Sequence, residues 1–246
     1  MPRPEYLQSY YGSYHQGRDE KVTFSGKERF AAHLLRAVPA PWAKEHTRIL
    51  DFGGGDATLA TAVAVRLLER FPRGSVDVVV VDQETPMPSP DTRIRIEQRN
   101  CLEETKGSYD MVLASAVLEH IPDLHAALLG LVERIGRSGF LYARTPYVLP
   151  CARIFPALDL TYPAHVHDLG SGFWNGFIDL FGFQARCLAS RPSLVASSWR
   201  EEPLRTLAAH SLKLPARLEA ILSPPSRKHR LWHLVGGWEV LLQIGD

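Results

Sequence analysis

Residues 47–58, Thr-Arg-Ile-Leu-Asp-Phe-Gly-Gly-Gly-Asp-Ala-Thr, constrain the fold more than any other stretch of the chain. Ile49 and Leu50 form a short apolar run of the kind found in buried parallel strands. Asp51 closes that run, Gly53, Gly54 and Gly55 follow, and a helical pattern opens near Asp56. A strand, a glycine turn and a helix in that order let a ligand approach bare backbone. Glycine accepts positive φ and has no Cβ to keep the ligand away, and the helix that follows presents free N–H groups at its positive end.

Spacing narrows the ligand. A dinucleotide loop needs G-x-G-x-x-G, but Gly53 and Gly55 are followed by Thr58 where the third glycine belongs. A P-loop needs Gly-Lys-Ser/Thr, and the one Gly-Lys, at Gly26-Lys27, precedes Glu28. The pattern that fits is acid-x-Gly-x-Gly-x-Gly/Ala, filled by Asp51, Gly53, Gly55 and Ala57. Here the chain resembles the class I S-adenosylmethionine (SAM) dependent methyltransferases. The resemblance implies that Asp51 and Gly53–Gly55 hold the methionine end of SAM, with S-adenosylhomocysteine (SAH) as product. The alternative is a glycine turn that only joins strand to helix.

The rest of the chain alternates strand and helix. Phe30, Leu34, Leu35 and Val38 recur at helical spacing, stopped by Pro39 and Pro41; residues 56–70 carry Leu59, Val63, Leu67 and Leu68. Val76 to Val81 is a continuous β-branched run, a strand buried on both faces, and it ends in Asp82. An acid at that strand end suits ribose, because one carboxylate accepts from two hydroxyls; Asp82, with Gln83 beside it, is the expected ribose site. Pro86, Pro88, Ser89 and Pro90 make the next connection a loop, and Arg93 to Gln98 alternates as a half-exposed strand towards one side of the sheet. Asn100, Cys101 and Leu102 stand where the family often has an acid for the adenine amino group. By the same resemblance, the side-chain carbonyl of Asn100 is the expected substitute acceptor.

Tyr109 to Leu113 reads as a fourth strand, left through Ser115-Ala116-Val117-Leu118-Glu119-His120-Ile121-Pro122-Asp123. Val-Leu-Glu-His-Ile-Pro-Asp resembles the segment that lies beside the sulfonium in small-molecule methyltransferases, which implicates Ser115, Ala116 and His120. An amphipathic helix from Leu124 to Ile135 and a strand from Phe140 to Ala143 follow. Five strands alternating with helices predict a parallel, doubly wound α/β sheet, with the site outside the carboxyl ends of strands one, two and four.

Residues 147–170 read as irregular, ending in Tyr-Pro-Ala-His-Val-His-Asp, before a helix from Phe173 to Phe181. Phe183 to Ala189 and Trp238 to Ile244 are the last strand candidates. By resemblance they complete a Rossmann-like, mostly parallel seven-stranded sheet with an antiparallel last strand. About 45 residues separate them, too long for a plain hairpin, so a helical insertion packed over the cleft is expected near the C-terminus. Leu204, Leu207, Leu218 and Leu222 set its pattern. Between residues 191 and 230, eight Arg and Lys against three Glu leave a local charge of +5, which a solvated helix face explains or an anionic acceptor would exploit.

One methyltransferase domain is therefore expected over residues 1–246: lid and helix over 1–45, cofactor-binding core over 46–190, insertion over 191–232, last strand over 233–246. By resemblance Tyr11, Tyr14 and His15 fold over the cofactor, although packing of a short aromatic helix explains them equally well. His165, His167 and His120 are the candidates for removing an acceptor proton, since histidine titrates near neutrality. His165 and His167 offer two ring nitrogens to a metal but no third ligand is evident, so no metal is expected.

A net charge of +1 argues against a protein that wraps nucleic acid. Three widely spaced cysteines, Cys101, Cys151 and Cys187, and the lack of an apolar leader or span predict a soluble cytoplasmic protein with no membrane partner. Base-methylating and magnesium-dependent catechol types are disfavoured, for want of Asn-Pro-Pro-Tyr after the fourth strand and of paired acids. A small-molecule O or N acceptor is the expected substrate. A non-catalytic SAM-fold binding protein, a nicotinamide-dependent oxidoreductase and an RNA methyltransferase are the alternatives.

Overall fold

The computed structural model describes residues 26–39, 44–155, 165–181, 184–195, 197, 199–225 and 230–245. Tyr11, Tyr14 and His15 of the expected lid lie outside the described residues. Seven strands, β1 (His46–Phe52), β2 (Ser75–Val81), β3 (Ile94–Arg99), β4 (Tyr109–Ser115), β5 (Ile135–Tyr147), β6 (Ala185–Pro192) and β7 (Gly236–Ile244), form one sheet in the order β3-β2-β1-β4-β5-β7-β6. The pairings among β1 to β5 are parallel, and β7 runs antiparallel to both β5 and β6.

The apolar runs read as strands are continuous because each is covered on both faces. On one face Ile49, Val78, Val80, Met111 and Leu113 pack with Leu34 and Leu35 of helix α1 (Lys27–Ala37) and Val63 and Leu67 of α2 (Thr58–Arg70). On the other, Leu50, Val79 and Val112 pack with Leu128 and Leu131 of α3 (Leu124–Glu133) and Trp174 and Phe177 of α5 (Ser171–Phe181). The chain runs outward from β1 through β2 to β3 and then crosses back to β4 on the other side of β1. That reversal opens a crevice at the carboxyl ends of β1 and β4.

Two expectations need correction. The stretch read as irregular contains a short helix, α4 (Leu149–Ile154), with Pro150 in its first turn. There the missing N–H of proline costs nothing, and Asp168 Oδ1 and Oδ2 accept from the backbone N–H groups of Val148 (2.6 Å) and Leu149 (3.1 Å). The second correction concerns α6 (Pro203–Leu222), which joins β6 to β7 but does not roof the crevice. It packs against β6, and Leu204, Leu207, Leu218 and Leu222 face outward, Leu222 with 83% of its surface exposed. The side turned inward carries Thr206, Lys213 and Ala216.

Part of the basic charge of this segment is spent internally. Lys213 is buried, its ammonium donating to Ser193 O (2.8 Å) and Oγ (3.1 Å), and burial, then the charge of Arg217, lowers its pKa to about 8. Arg230 is buried too and donates to Ser190 O at 3.2 Å. Among the described residues, no helix is long and apolar enough to cross a membrane.

Candidate active site

Asp51, the penultimate residue of β1, has 2% of its surface exposed, and its Oδ2 has no hydrogen-bond partner among the described residues. Burial, then the charge of Asp82, pushes its pKa up to about 7, against a lowering hydrogen bond from the backbone of Ala60. The glycine turn then folds over it. Gly53 and Gly55 have φ of +68° and +54°. Ala57 also adopts the left-handed region, φ 66°, just ahead of α2, a conformation a non-glycine residue holds only when its surroundings enforce it. A Cβ on Gly53 would lie 2.3 Å from Val117, so the loop after β4 closes directly on the loop after β1.

Asp82 fixes the turn from β2. Its Oδ2 accepts from Gly55 N (2.9 Å) and its Oδ1 from Glu84 N (3.0 Å). Each oxygen retains a second lone pair. These turns enclose a cleft of about 200 Å³ lined by Asp51, Gly53, Gly54, Gly55, Glu84, Ser115, Ala116 and Arg144, among others. Glu84 and Arg144 were missed from the sequence. An acid two residues past the expected ribose site was a readable signal; Arg144 had none, since it reaches the cleft through its register opposite Ser115 in the β4–β5 pair. Asp82, Gln83, Asn100, Cys101, Leu102 and His120 lie outside that lining. Leu102 is buried in the core beside α3.

Ala116, with φ 60°, turns the chain away from β4, held by its N–H to Arg144 O (2.7 Å). A single 3-10 turn, Leu118–His120, follows. It leaves Glu119 2% exposed with Oε2 unpartnered among the described residues. Burial pushes the Glu119 carboxyl up to about 7, against a lowering hydrogen bond from its own backbone and the charge of Arg144. The carbonyl of Glu119 accepts from the N–H groups of Val166 (2.8 Å) and His167 (3.2 Å). Thr145 Oγ1 donates to Leu169 O at 2.9 Å, so the segment from His165 to Leu169 is pinned along its length.

This pinning separates the three candidate histidines. His167 Nε2 lies 2.9 Å from Ile121 O and braces the loop. His165 and His120 come together, ring centroids 4.9 Å apart, and His120 Nε2 lies 4.0 Å from Glu119 Oε1. Burial, then the charge of His120, lowers the pKa of His165 and favours the neutral ring.

The profile of a family described as Methyltransferase domain matches residues 24–174, more than half of the chain. Methyltransferase str3 of Strobilurus tenacellus is 32% identical over 124 residues, 48% of this chain and 40% of that protein. Two solved structures share the fold at low identity. The plantazolicin methyltransferase BpumL, in complex with SAH, superposes with a TM-score of 0.51 at 11% identity, covering 100% of this chain and 91% of that one. YcgJ of Bacillus subtilis gives 0.53 at 13%, covering 89% and 98%. A seven-stranded sheet in this order, with β7 antiparallel and a glycine turn after β1, is the Rossmann-like fold of the class I methyltransferases. The chain belongs to the methyltransferase-domain family.

Proposed function

We propose that this protein moves the methyl group of SAM to an oxygen or nitrogen atom of a small-molecule acceptor, in the cytoplasm. The observation that carries this reading is the buried carboxyl of Asp51, whose Oδ2 meets no hydrogen-bond partner among the described residues, under a glycine turn without side chains. The methionine end of SAM carries an ammonium group, which offers that carboxyl the partner it lacks. Gly53, Gly54 and Gly55 line the cleft beside it, and Asp82 keeps lone pairs for ribose hydroxyls while holding Gly55 in place. BpumL, which has the same fold, was crystallised with SAH.

SAM supplies an electrophilic methyl on a sulfonium, so the protein has chiefly to align two reactants and exclude water. In this reading Ser115 and Ala116 border the methyl-bearing end, while Glu119, His120 and His165 deal with the ionisable group of the acceptor. His167 is a positioning residue, because its ring is committed to Ile121 O.

The test is the unfolding midpoint with SAM, SAH and NADH, each at about 100 times a plausible Kd. A ligand of this site adds about 2.7 kcal/mol, several degrees for a chain of this size. A rise with SAM and SAH but not NADH supports the reading. No rise with either adenosyl compound overturns it.

A further inference from the structure

We propose that Glu119, His120 and His165 form a binding site for one divalent transition-metal ion of the zinc or manganese type, built on the turn that leaves β4. One ligand atom from each residue lies within 4.8 Å of the others. Around an ion with bonds of about 2.0–2.2 Å, neighbouring ligand atoms stand roughly 3–3.5 Å apart, so the set closes by at most about 1–2 Å on binding. Glu119 and His120 are consecutive in one 3-10 turn. His165 is delivered by the segment whose next two N–H groups bond the carbonyl of Glu119 itself. All three ligands are therefore carried by a single hydrogen-bonded junction.

An independent observation points to an ion. Oε2 of Glu119 is buried and, among the described residues, meets no donor. A carboxylate is not left that way without cost, and a cation supplies the missing partner. The neighbouring rings suit it, since His120 and His165, with centroids 4.9 Å apart, supply the imidazole nitrogens that such an ion takes. Arg144 opposes the ion, because its positive charge also acts on Glu119. Its guanidinium carbon lies 4.8 Å from the Phe30 ring centroid on α1.

Two imidazole nitrogens and one carboxylate oxygen favour zinc, manganese or iron over magnesium and calcium, which prefer oxygen alone. Three protein ligands also leave coordination positions open, as in catalytic rather than structural metal sites. This use of the site rests on the methyl-transfer reading above, although ion binding itself does not. An acceptor hydroxyl brought to an open position is acidified. Its proton leaves to solvent, its lone pair forms the new O–C bond, and the S–C pair returns to sulfur, turning the sulfonium into a thioether. The site thus selects an oxygen acceptor over an amine, whose lone pair needs no such acidification.

The test is a titration of chelator-treated protein with Mn²⁺, following the free ion by electron paramagnetic resonance. One equivalent is expected to bind. Glu119→Gln and His165→Ala are expected to weaken binding at least tenfold, and His120→Asn to do so while altering a more exposed ring. Circular dichroism and the SAM-induced rise in midpoint report folding of each variant. A wild-type protein that binds no Mn²⁺, or folded variants that bind it as well as wild type, overturns the site. Displacement of Mn²⁺ by equimolar Ca²⁺ overturns the assignment to imidazole ligands. Mn²⁺ binding without any response to SAM leaves the metal site standing and removes the methyl-transfer reading instead.

Discussion

The carboxyl of Asp51 lies directly beneath the backbone of Gly54, so close that a Cβ there would stand 2.4 Å from the aspartate Cγ. The glycine is required by contact rather than by backbone freedom, because positive φ belongs to its neighbours Gly53 and Gly55. Gly54→Ala is therefore expected to cost about 1–3 kcal/mol, as overpacking does, and to abolish the SAM-induced rise in midpoint by displacing Asp51. Gly172→Ala is the control: nothing lies within 4 Å of that position on α5, and alanine there leaves stability unchanged or raises it by up to about 1 kcal/mol. Thermal unfolding of both variants with and without SAM checks the pair. A Gly54→Ala protein that still responds to SAM would contradict the placement of the cofactor.

The raised pKa of Asp51 makes cofactor binding depend on pH. With the free carboxyl titrating near 7, it is mostly protonated at pH 6 and mostly charged at pH 8. If the complex needs the charged form, SAM binding releases a proton, and affinity rises with pH until it levels above 7. The Kd at pH 6 is expected to be about ten times that at pH 8. Calorimetric titration at both values measures it. In Asp51→Asn the affinity is weak and this slope is lost, whereas a slope that persists in the variant places the titrating group elsewhere.

Much of this architecture is legible in the sequence itself. The β-branched run at Val76–Val81 and the alternation at Arg93–Gln98 correspond to β2, buried on both faces, and to the edge strand β3. Local patterns sufficed there because strand burial is written in neighbouring residues. What eluded the sequence depends on contacts between distant segments. Glu119 and His165 stand 46 positions apart and meet because a carbonyl and two N–H groups pair; the closer His165 and His167 point to different partners. The leucines of α6 signalled a helix correctly but not its orientation, because Lys213 found carbonyl and hydroxyl oxygens inside and the apolar stripe was left outside.

A buried carboxylate paired across β5–β7 with the cleft-lining Arg144 ties α1 to the antiparallel end of the sheet. Glu239 of β7 is 1% exposed; its Oε1 lies 2.5 Å from His33 Nε2 and 2.6 Å from Arg191 Nε, and its Oε2 accepts from Tyr142 (3.2 Å). Burial alone would raise its pKa, but the hydrogen bonds and charges of His33 and Arg191 outweigh it and hold the carboxyl below its ordinary value. A lowered folded pKa stabilises above the unfolded pKa of about 4.3, and that contribution is lost as pH falls through the folded value. Glu239→Gln is expected to cost about 2–4 kcal/mol at pH 7, because Arg191, a third exposed, regains some hydration. Urea unfolding from pH 7 to pH 3 should show the gap to wild type narrowing below about pH 4. A gap that does not narrow with acid would mean that the charge of Glu239 contributes nothing.

Asp82 has two duties in this reading, and they can be separated. Both of its oxygens already accept backbone N–H groups, from Gly55 and Glu84, so any substitution also loosens the glycine turn. Loss of affinity in Asp82→Asn is therefore ambiguous by itself. The discriminating comparison is between SAH and its 2′-deoxy analogue on each protein. Hydrogen bonds to a charged group contribute roughly 1.5–3 kcal/mol, so wild type should prefer SAH by about 10- to 100-fold. If Asp82 holds the ribose, that preference collapses in Asp82→Asn, even though both ligands bind more weakly. If the preference survives, Asp82 only anchors Gly55, and the acid that grips the hydroxyls is Glu84, which already lines the cleft; Glu84→Gln would then be the variant in which the two ligands bind alike.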